Sequence, residues 1–442
     1  MDNVQKTLEI HQTVSKVNSL YPKVKHFSIP ITTTLIVALL LSATFLILNV
    51  TPLAQSATLT TTLTDDPLSP SKMLWKYTPS NGVHASPTVV DGIVYLNSQI
   101  HGEVSALNAT TGTNIWTYNN YIMNVIAGSP AVADGRIYVL TQVSFWVLNA
   151  TDSTELWSLS LGGLSTPVVV NGIVYFSSQH SYDGMQGSSV FAFNAIDGTK
   201  LWNYTIPGGG SSISSSPAVV GEVVYVGADD NNVYALDAKS GRVLWYFATG
   251  SRVDSSPAVV NDLVYVGSGD HSVYALNAKT GKKVWSYLTG GGVSSSPSVV
   301  DGVVYVGSEE GNVYALDASN GKKLWSYTTG DIVVSSRAVA YGVVYVSSCD
   351  GAFYFLDATS GEKLWSTFEY GGGYESPIVV DGVLYICANS NLYAFNAIMG
   401  PSTSPGPSTS LTYLFIIVVM IAGGSSIIVA TYYLKIRRRI IQ

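Results

Sequence analysis

Charge is scarce in this sequence. Asp, Glu, Lys and Arg make up 12% of its 442 residues, about half the usual ~25%, and the formal balance is −7. That sign and density argue against nucleic acid as a partner. Cysteine is scarcer still, with only Cys349 and Cys387, so the fold cannot rest on a disulfide scaffold. No Ser-His-Asp arrangement, HExxH run or phosphate-binding glycine loop is present, which removes the commonest hydrolase and nucleotide-binding chemistries.

Tryptophan, by contrast, recurs on a period. Trp75, Trp116, Trp157, Trp202, Trp245, Trp285, Trp325 and Trp365 follow one another along the chain, and the last three intervals are each 40 residues, with 43 just before them. A period near 40 means stacked supersecondary units, none of which can bury its apolar face alone. The clearest copy runs from Ser294 to Trp325. It holds three short runs rich in Val, Tyr and Ala and a fourth around the Trp, separated by Gly, Asp, Asn and Ser. Such runs read as β-strands joined by tight turns. Four strands per unit of this length match one blade of a β-propeller.

The copies agree position by position. Tyr95, Tyr138, Tyr175, Tyr225, Tyr265, Tyr305, Tyr345 and Tyr385 mark the second strand. A proline opens the first strand in seven copies, where no ladder hydrogen bond is needed from it; the eighth has Arg337. Before each Trp, Asp237, Asn277, Asp317 or Asp357 can cap its own turn. Four residues on, Gly241, Gly281, Gly321 and Gly361 can take φ > 0. The second copy has Ser153 there, which predicts a departure in that turn. A flat ring recurring at one place on every blade predicts packing against the next blade, each indole contributing about 3–5 kcal/mol. Lys282, Lys283, Lys322, Lys323 and Lys363 stand at the start of outer strands, as charged protection of an exposed edge.

The two ends are complementary. The last copy has Asn396 and Gly400 but Ser404 where its Trp is due, and Trp75 has no turn motif before it. The N-terminal segment therefore supplies a fourth strand and the C-terminal segment the first three, closing a ring of eight. The expected fold is all-β, an eight-bladed propeller of four-stranded antiparallel blades flanked by two transmembrane helices.

The run A-x-D/N-A-x-x-G-x-x-x-W, as in ALDASNGKKLW, resembles the tryptophan-docking motif of pyrroloquinoline-quinone-type propellers, over residues 72–400. That family includes quinoprotein alcohol and glucose dehydrogenases, non-catalytic propellers such as the lipoprotein that helps assemble outer-membrane β-barrels, and membrane-anchored surface proteins. For the enzymes the resemblance implies a catalytic Asp, a calcium ion held by Glu and Asn or Asp, and often an adjacent Cys-Cys pair. This sequence has no Cys-Cys, and its loops are short, with a notable insertion only at 180–188. No cofactor is expected; pyrroloquinoline quinone and calcium belong to the enzyme alternative alone, and no catalytic or metal-binding residue is assigned.

Two uncharged apolar segments, 29–50 and 411–434, flank the propeller, each long enough for a bilayer core of about 20 residues. Lys16, Lys23 and Lys25 precede the first, and Lys435, Arg437, Arg438 and Arg439 follow the second. Positive flanks stay inside. The expected order is a cytoplasmic segment 1–28, a transmembrane helix or signal anchor 29–50, a linker 51–71, the propeller 72–400 outside the cell, a Pro/Ser/Thr stalk 401–410, a transmembrane helix 411–434 and a basic cytoplasmic tail 435–442. A signal peptide cleaved near residues 54–57 is the alternative for the first segment.

Residues unique to one copy break the eightfold symmetry and can bind something asymmetric. Arg337 at the innermost strand is placed to hold an anion; a salt bridge to Asp331 or Asp350 or solvation in a wet channel would also account for it. Arg252 and Asp254 precede Pro257, and Tyr374 and Glu375 precede Pro377, so both pairs are expected on one loop face. Asp229, Asp230, Asp270, His271, Glu309, Glu310 and Asp350 fall in second-to-third-strand turns and read chiefly as turn residues. Asn108, Asn149 and Asn203 head glycosylation sequons, the first two at the turn position that is Asp elsewhere. Even offsets from Tyr345 and Tyr385 turn Cys349 and Cys387 away from one another, and Cys387 stands in the place of Gly227, Gly267 and Gly307. The expected function is a membrane-anchored binding or assembly scaffold for a protein, peptide or glycan partner on the loop face. The alternatives are a quinone-dependent dehydrogenase and a sensor, which would need a signalling partner.

Overall fold

The computed structural model describes residues 73–397, apart from 81, 84, 99–101, 120–127, 179–186, 208–211 and 369–374. Both apolar segments, the stalk and Tyr374 lie outside the described residues. Among the described residues no helix is long and apolar enough to cross a membrane. The described residues form thirty-two strands in eight four-stranded antiparallel sheets. Seven are continuous in sequence. Blade 1 runs from β2 (Thr88–Val90) to β5 (Asn114–Tyr118), and blade 7 from β26 (Ala338–Ala340) to β29 (Lys363–Thr367). Blade 8 is composite. Its inner strands are β30 (Ile378–Val380), β31 (Val383–Ala388) and β32 (Asn391–Asn396), and its outer strand is β1 (Met73–Tyr77) from the other end of the chain. Trp75 pairs opposite Ala394, so the ring closes as the sequence ends predict.

The first and second strands of each blade are joined by a two-residue turn. Asp91-Gly92, Asp134-Gly135, Asn171-Gly172, Asp301-Gly302 and Asp381-Gly382 all have positive φ at both positions, the geometry whose twist matches the flanking strands. The second and third strands carry the core and are almost wholly buried.

The outer strand carries a β-bulge in every blade. Trp245 pairs with Ala235 while Val243 pairs with Leu236, which leaves Leu244 as the extra residue. The same shift recurs at Leu74, Ile115, Leu156, Leu201, Val284, Leu324 and Leu364. It turns the Trp inward and, in seven blades, the bulged side chain outward; Leu364 of blade 7 is partly covered instead. It also twists the exposed edge away from strand addition.

Inward, the indole meets the next blade. Trp245 Nε1 donates to Ala278 O at 2.9 Å, and Tyr225 of the same blade donates its hydroxyl to that carbonyl at 3.2 Å. Trp75, Trp116, Trp202, Trp285 and Trp325 make the equivalent bond. The turn glycine of the next blade lies under the ring. A Cβ on Gly281 would sit 2.6 Å from Trp245, and its φ is +68°. Two independent constraints thus demand glycine there. Ser153, at the equivalent position in blade 2, keeps the same left-handed backbone with φ 61°. The departure expected in that turn does not occur: backbone bonds from Ser153 N to Asn149 O and from Asn149 N to Thr154 O hold the ordinary turn.

Candidate functional site

Around the inner rim, neighbouring blades are joined by hydroxyl groups. At six junctions the amide N–H of the residue before the strand-opening proline or its equivalent donates to the hydroxyl at the same position one blade on. Ser129 donates to Thr166, Thr166 to Ser216, Ser216 to Ser256, Ser256 to Ser296, Ser336 to Ser376 and Ser376 to Ser86, at 2.8–3.2 Å. Two junctions are built differently. Between blades 1 and 2, Thr88 Oγ1 donates to Pro130 O, and between blades 6 and 7, Ser298 Oγ donates to Arg337 O, each at 2.5 Å. In blades 3 to 7 the serine just before the rim residue (Ser165, Ser215, Ser255, Ser295 and Ser335) pins its own blade. Ser255 Oγ donates to Gly267 O at 2.8 Å and accepts from Gly267 N at 2.8 Å. This division of labour between adjacent serines was missed in the sequence, although the SSP and SSR runs repeat openly there.

The acidic turn residues are committed to the blades. Tyr274 donates to Asp270 Oδ2 at 2.7 Å, and the same oxygen accepts the Gly250 amide at 2.6 Å. Asp350 takes Tyr354 at 2.5 Å and the Gly330 amide at 2.7 Å, and Glu310 takes Tyr314 and the Gly290 amide. Asp230 takes Tyr234 at 2.5 Å. Burial, and after it the bond to the carboxylate, pushes Tyr274 and Tyr314 up to about 12, so these hydroxyls stay protonated as donors. Glu309 accepts from Ser294. Asn108 and Asn149 act as turn caps, their Oδ1 atoms accepting the amides of Thr110 and Thr151 at 2.9 and 2.8 Å.

Two unique positions come together at the junction of blades 4 and 5. Arg252 Nε pairs with Asp254 Oδ2 at 2.8 Å. Asp229, in the blade 4 turn, lies close to Asp254 across the junction. Burial, followed by the Asp254 carboxylate, pushes Asp229 up to about 6. Two carboxyls with one arginine alongside give a compact polar cluster. Arg252 itself is 59% exposed.

Arg337 lies at the head of β26, buried at 3% exposure. Its Nη2 donates back to Ser335 O. Nε and Nη1 have no acceptor. Among the described residues no ion pair involves Arg337; Asp350 is engaged as above, and Asp331 Oδ1 accepts from Ile332 N. Burial alone pulls the guanidinium down to about 9. Glu375 stands near Cys387, whose thiol is raised first by burial and then by that charge. Cys387 is buried and directs its thiol at Ala85 O, and no disulfide joins it to Cys349.

A calcium-held quinone would need converging carboxylates and amides. Among the described residues no group of three His, Cys, Asp or Glu converges, and the turn carboxylates already bind tyrosine hydroxyls and glycine amides. The described donor set does not fit that group.

Residues 67–125 and 186–402 match the family described as outer membrane protein assembly factor BamB. The protein of that name from Salmonella typhimurium is 28% identical over 234 residues, covering 39% of this chain and 59% of that protein. The serine/threonine-protein kinase AfsK of Streptomyces coelicolor is 29% identical over 184 residues, covering 40% of this chain and 20% of the kinase. The chain thus spans between a fifth and three-fifths of these relatives. The crystal structure of BamB from Moraxella catarrhalis superposes with a TM-score of 0.62 at 18% identity, covering 74% of this chain and 99% of that one.

Proposed function

Because the chain belongs to the repeat family described as outer membrane protein assembly factor BamB, we propose that it is a binding and assembly scaffold. The propeller would be held outside the cell by the segments 29–50 and 411–434 and would present a loop face to a protein or peptide partner. The observation that carries this reading is the Arg252–Asp254–Asp229 cluster. It is a symmetry-breaking group of charges at a single junction, drawn from two blades and with its guanidinium half in solvent. An exposed arginine on a rigid frame is a favoured anchor for a partner's carboxylate. The carboxylates at the regular turns support the blades instead.

The reading is tested with a photo-cross-linking residue placed at position 252 of the full chain in its own membrane, and a second at Lys322 on the outer rim. A discrete protein adduct from 252 and none from 322 is expected. Equal labelling at both positions would contradict it. Reconstitution with pyrroloquinoline quinone and calcium provides the opposing test. Dye-linked oxidation of alcohols or sugars by the reconstituted chain would replace the scaffold reading with a dehydrogenase.

A further inference from the structure

The guanidinium of Arg337 is used by neither the blade architecture nor the loop-face cluster. In the other seven blades a proline fills this place. Arginine carries five N–H donors. One nitrogen, Nη2, is satisfied by Ser335 O. Nε and Nη1, with three of the five hydrogens, face no acceptor. Burying an ionised group without a counter-charge is among the costliest arrangements a fold can hold. The chain has a net charge of −7, so carboxylates are in supply, yet none of the described ones is paired with this cation. The backbone here is also pinned. Ser298 donates to Arg337 O, and Ser336 N donates to Ser376 Oγ. Among the described residues, this junction lacks the amide-to-hydroxyl bond that joins blades 4 to 5 and 5 to 6, which leaves Ser296 and Ser336 differently engaged.

We propose that Arg337 is the core of a small-anion site at the junction of blades 6 and 7, and that it takes an oxyanion of carboxylate type. The planar guanidinium matches a carboxylate's two oxygens, and a buried setting strengthens the pairing. The Ser335 carbonyl holds one nitrogen and so orients the plane. A bound anion satisfies the remaining N–H groups and neutralises the charge at once. The site lies at a different junction from the Arg252 cluster, so its failure and that of the scaffold reading are separately visible.

The test is thermal unfolding of the full chain in detergent at constant sodium, with acetate, then phosphate, replacing chloride. It is run on the wild type, Arg337→Pro and Arg337→Gln. Arg337→Pro restores the residue of the other blades, and Arg337→Gln keeps a polar side chain without charge. A saturable rise in Tm of about 2 °C or more with acetate or phosphate in the wild type, absent from both variants, is expected from mass action on the folded state. Parallel responses in all three proteins would overturn the site and leave the guanidinium to buried water. A response to chloride alone would overturn the oxyanion assignment.

Discussion

Between blades 4 and 5 the Ser216 amide donates to the Ser256 hydroxyl, and between blades 5 and 6 Ser256 does the same to Ser296. Between blades 6 and 7 that bond gives way to Ser298 Oγ on Arg337 O, and a buried cation with unsatisfied donors takes the place of a proline. The two kinds of junction bury similar strands and dock the same indoles, with Trp245 on Ala278 and Trp325 on Ala358. The difference teaches that ring stability is carried by the repeated positions. The positions that break the repeat are free to be unfavourable for stability. A buried unpaired arginine is such a position, and strain of this kind concentrates where something binds.

The comparison can be broken at its regular side first. Trp245→Ala removes a buried indole and its bond to Ala278, and should cost about 3–5 kcal/mol, read by chemical denaturation. Leu244→Ala, one residue away on the outward bulge, should change stability by about 0.5 kcal/mol or less. Next comes the glycine under the ring. Gly281→Ala meets both the indole and a left-handed backbone, and should cost about 2–4 kcal/mol. Ser153→Gly relieves the one turn of this kind that holds a side chain, and should gain about 1 kcal/mol.

On the irregular side, Arg337→Pro in anion-free buffer should raise stability by about 1–3 kcal/mol by removing unsatisfied buried donors. Because the folded-state guanidinium is lowered to about 9, the unfolded chain binds more protons above that pH. Its penalty is full below about 9 and fades as pH rises further. The gain from Arg337→Pro should shrink accordingly in alkaline denaturation. The smallest effect is expected at Asp229. Its carboxyl is raised in the fold to about 6, so it favours folding most below about pH 4 and less as pH rises through 6. Asp229→Asn should flatten that fall, by at most about 1 kcal/mol after solvent screening, in a stability profile from pH 4 to 7.

The fold was legible because its signals are redundant. Trp, Tyr, Gly and Asp recur at one spacing, and the missing Trp at one end matches the isolated Trp75 at the other. The bulge before each Trp was not legible, since Leu244 and Val284 look like ordinary strand residues until pairing shows them skipped. The hydroxyl belt was missed for a related reason. Serines before proline read as turn formers, and only the curvature of the ring brings Ser216 to Ser256. Of the site, Arg337 and the Arg252–Asp254 pair could be found as departures from the repeat. The nearness of Asp229 to Asp254 could not, because it crosses blades. Ser153 misled in the other direction: a side chain at a glycine position predicts a changed turn, but the turn's backbone bonds hold serine in the left-handed region.

The claim beneath all of this is that one blade is assembled from both ends of the chain and makes the ring continuous. Hydrogen exchange of the β32 amides, residues 391–396, tests it most directly. The comparison is between the wild type and a chain in which residues 73–77 are replaced by Gly and Ser. The pairing of Trp75 with Ala394 and of Tyr77 with Leu392 predicts protection in the wild type close to that of Asn312–Asp317 in blade 6, and its loss in the replaced chain. Equal protection of β32 in both chains would show that the ring does not close through β1.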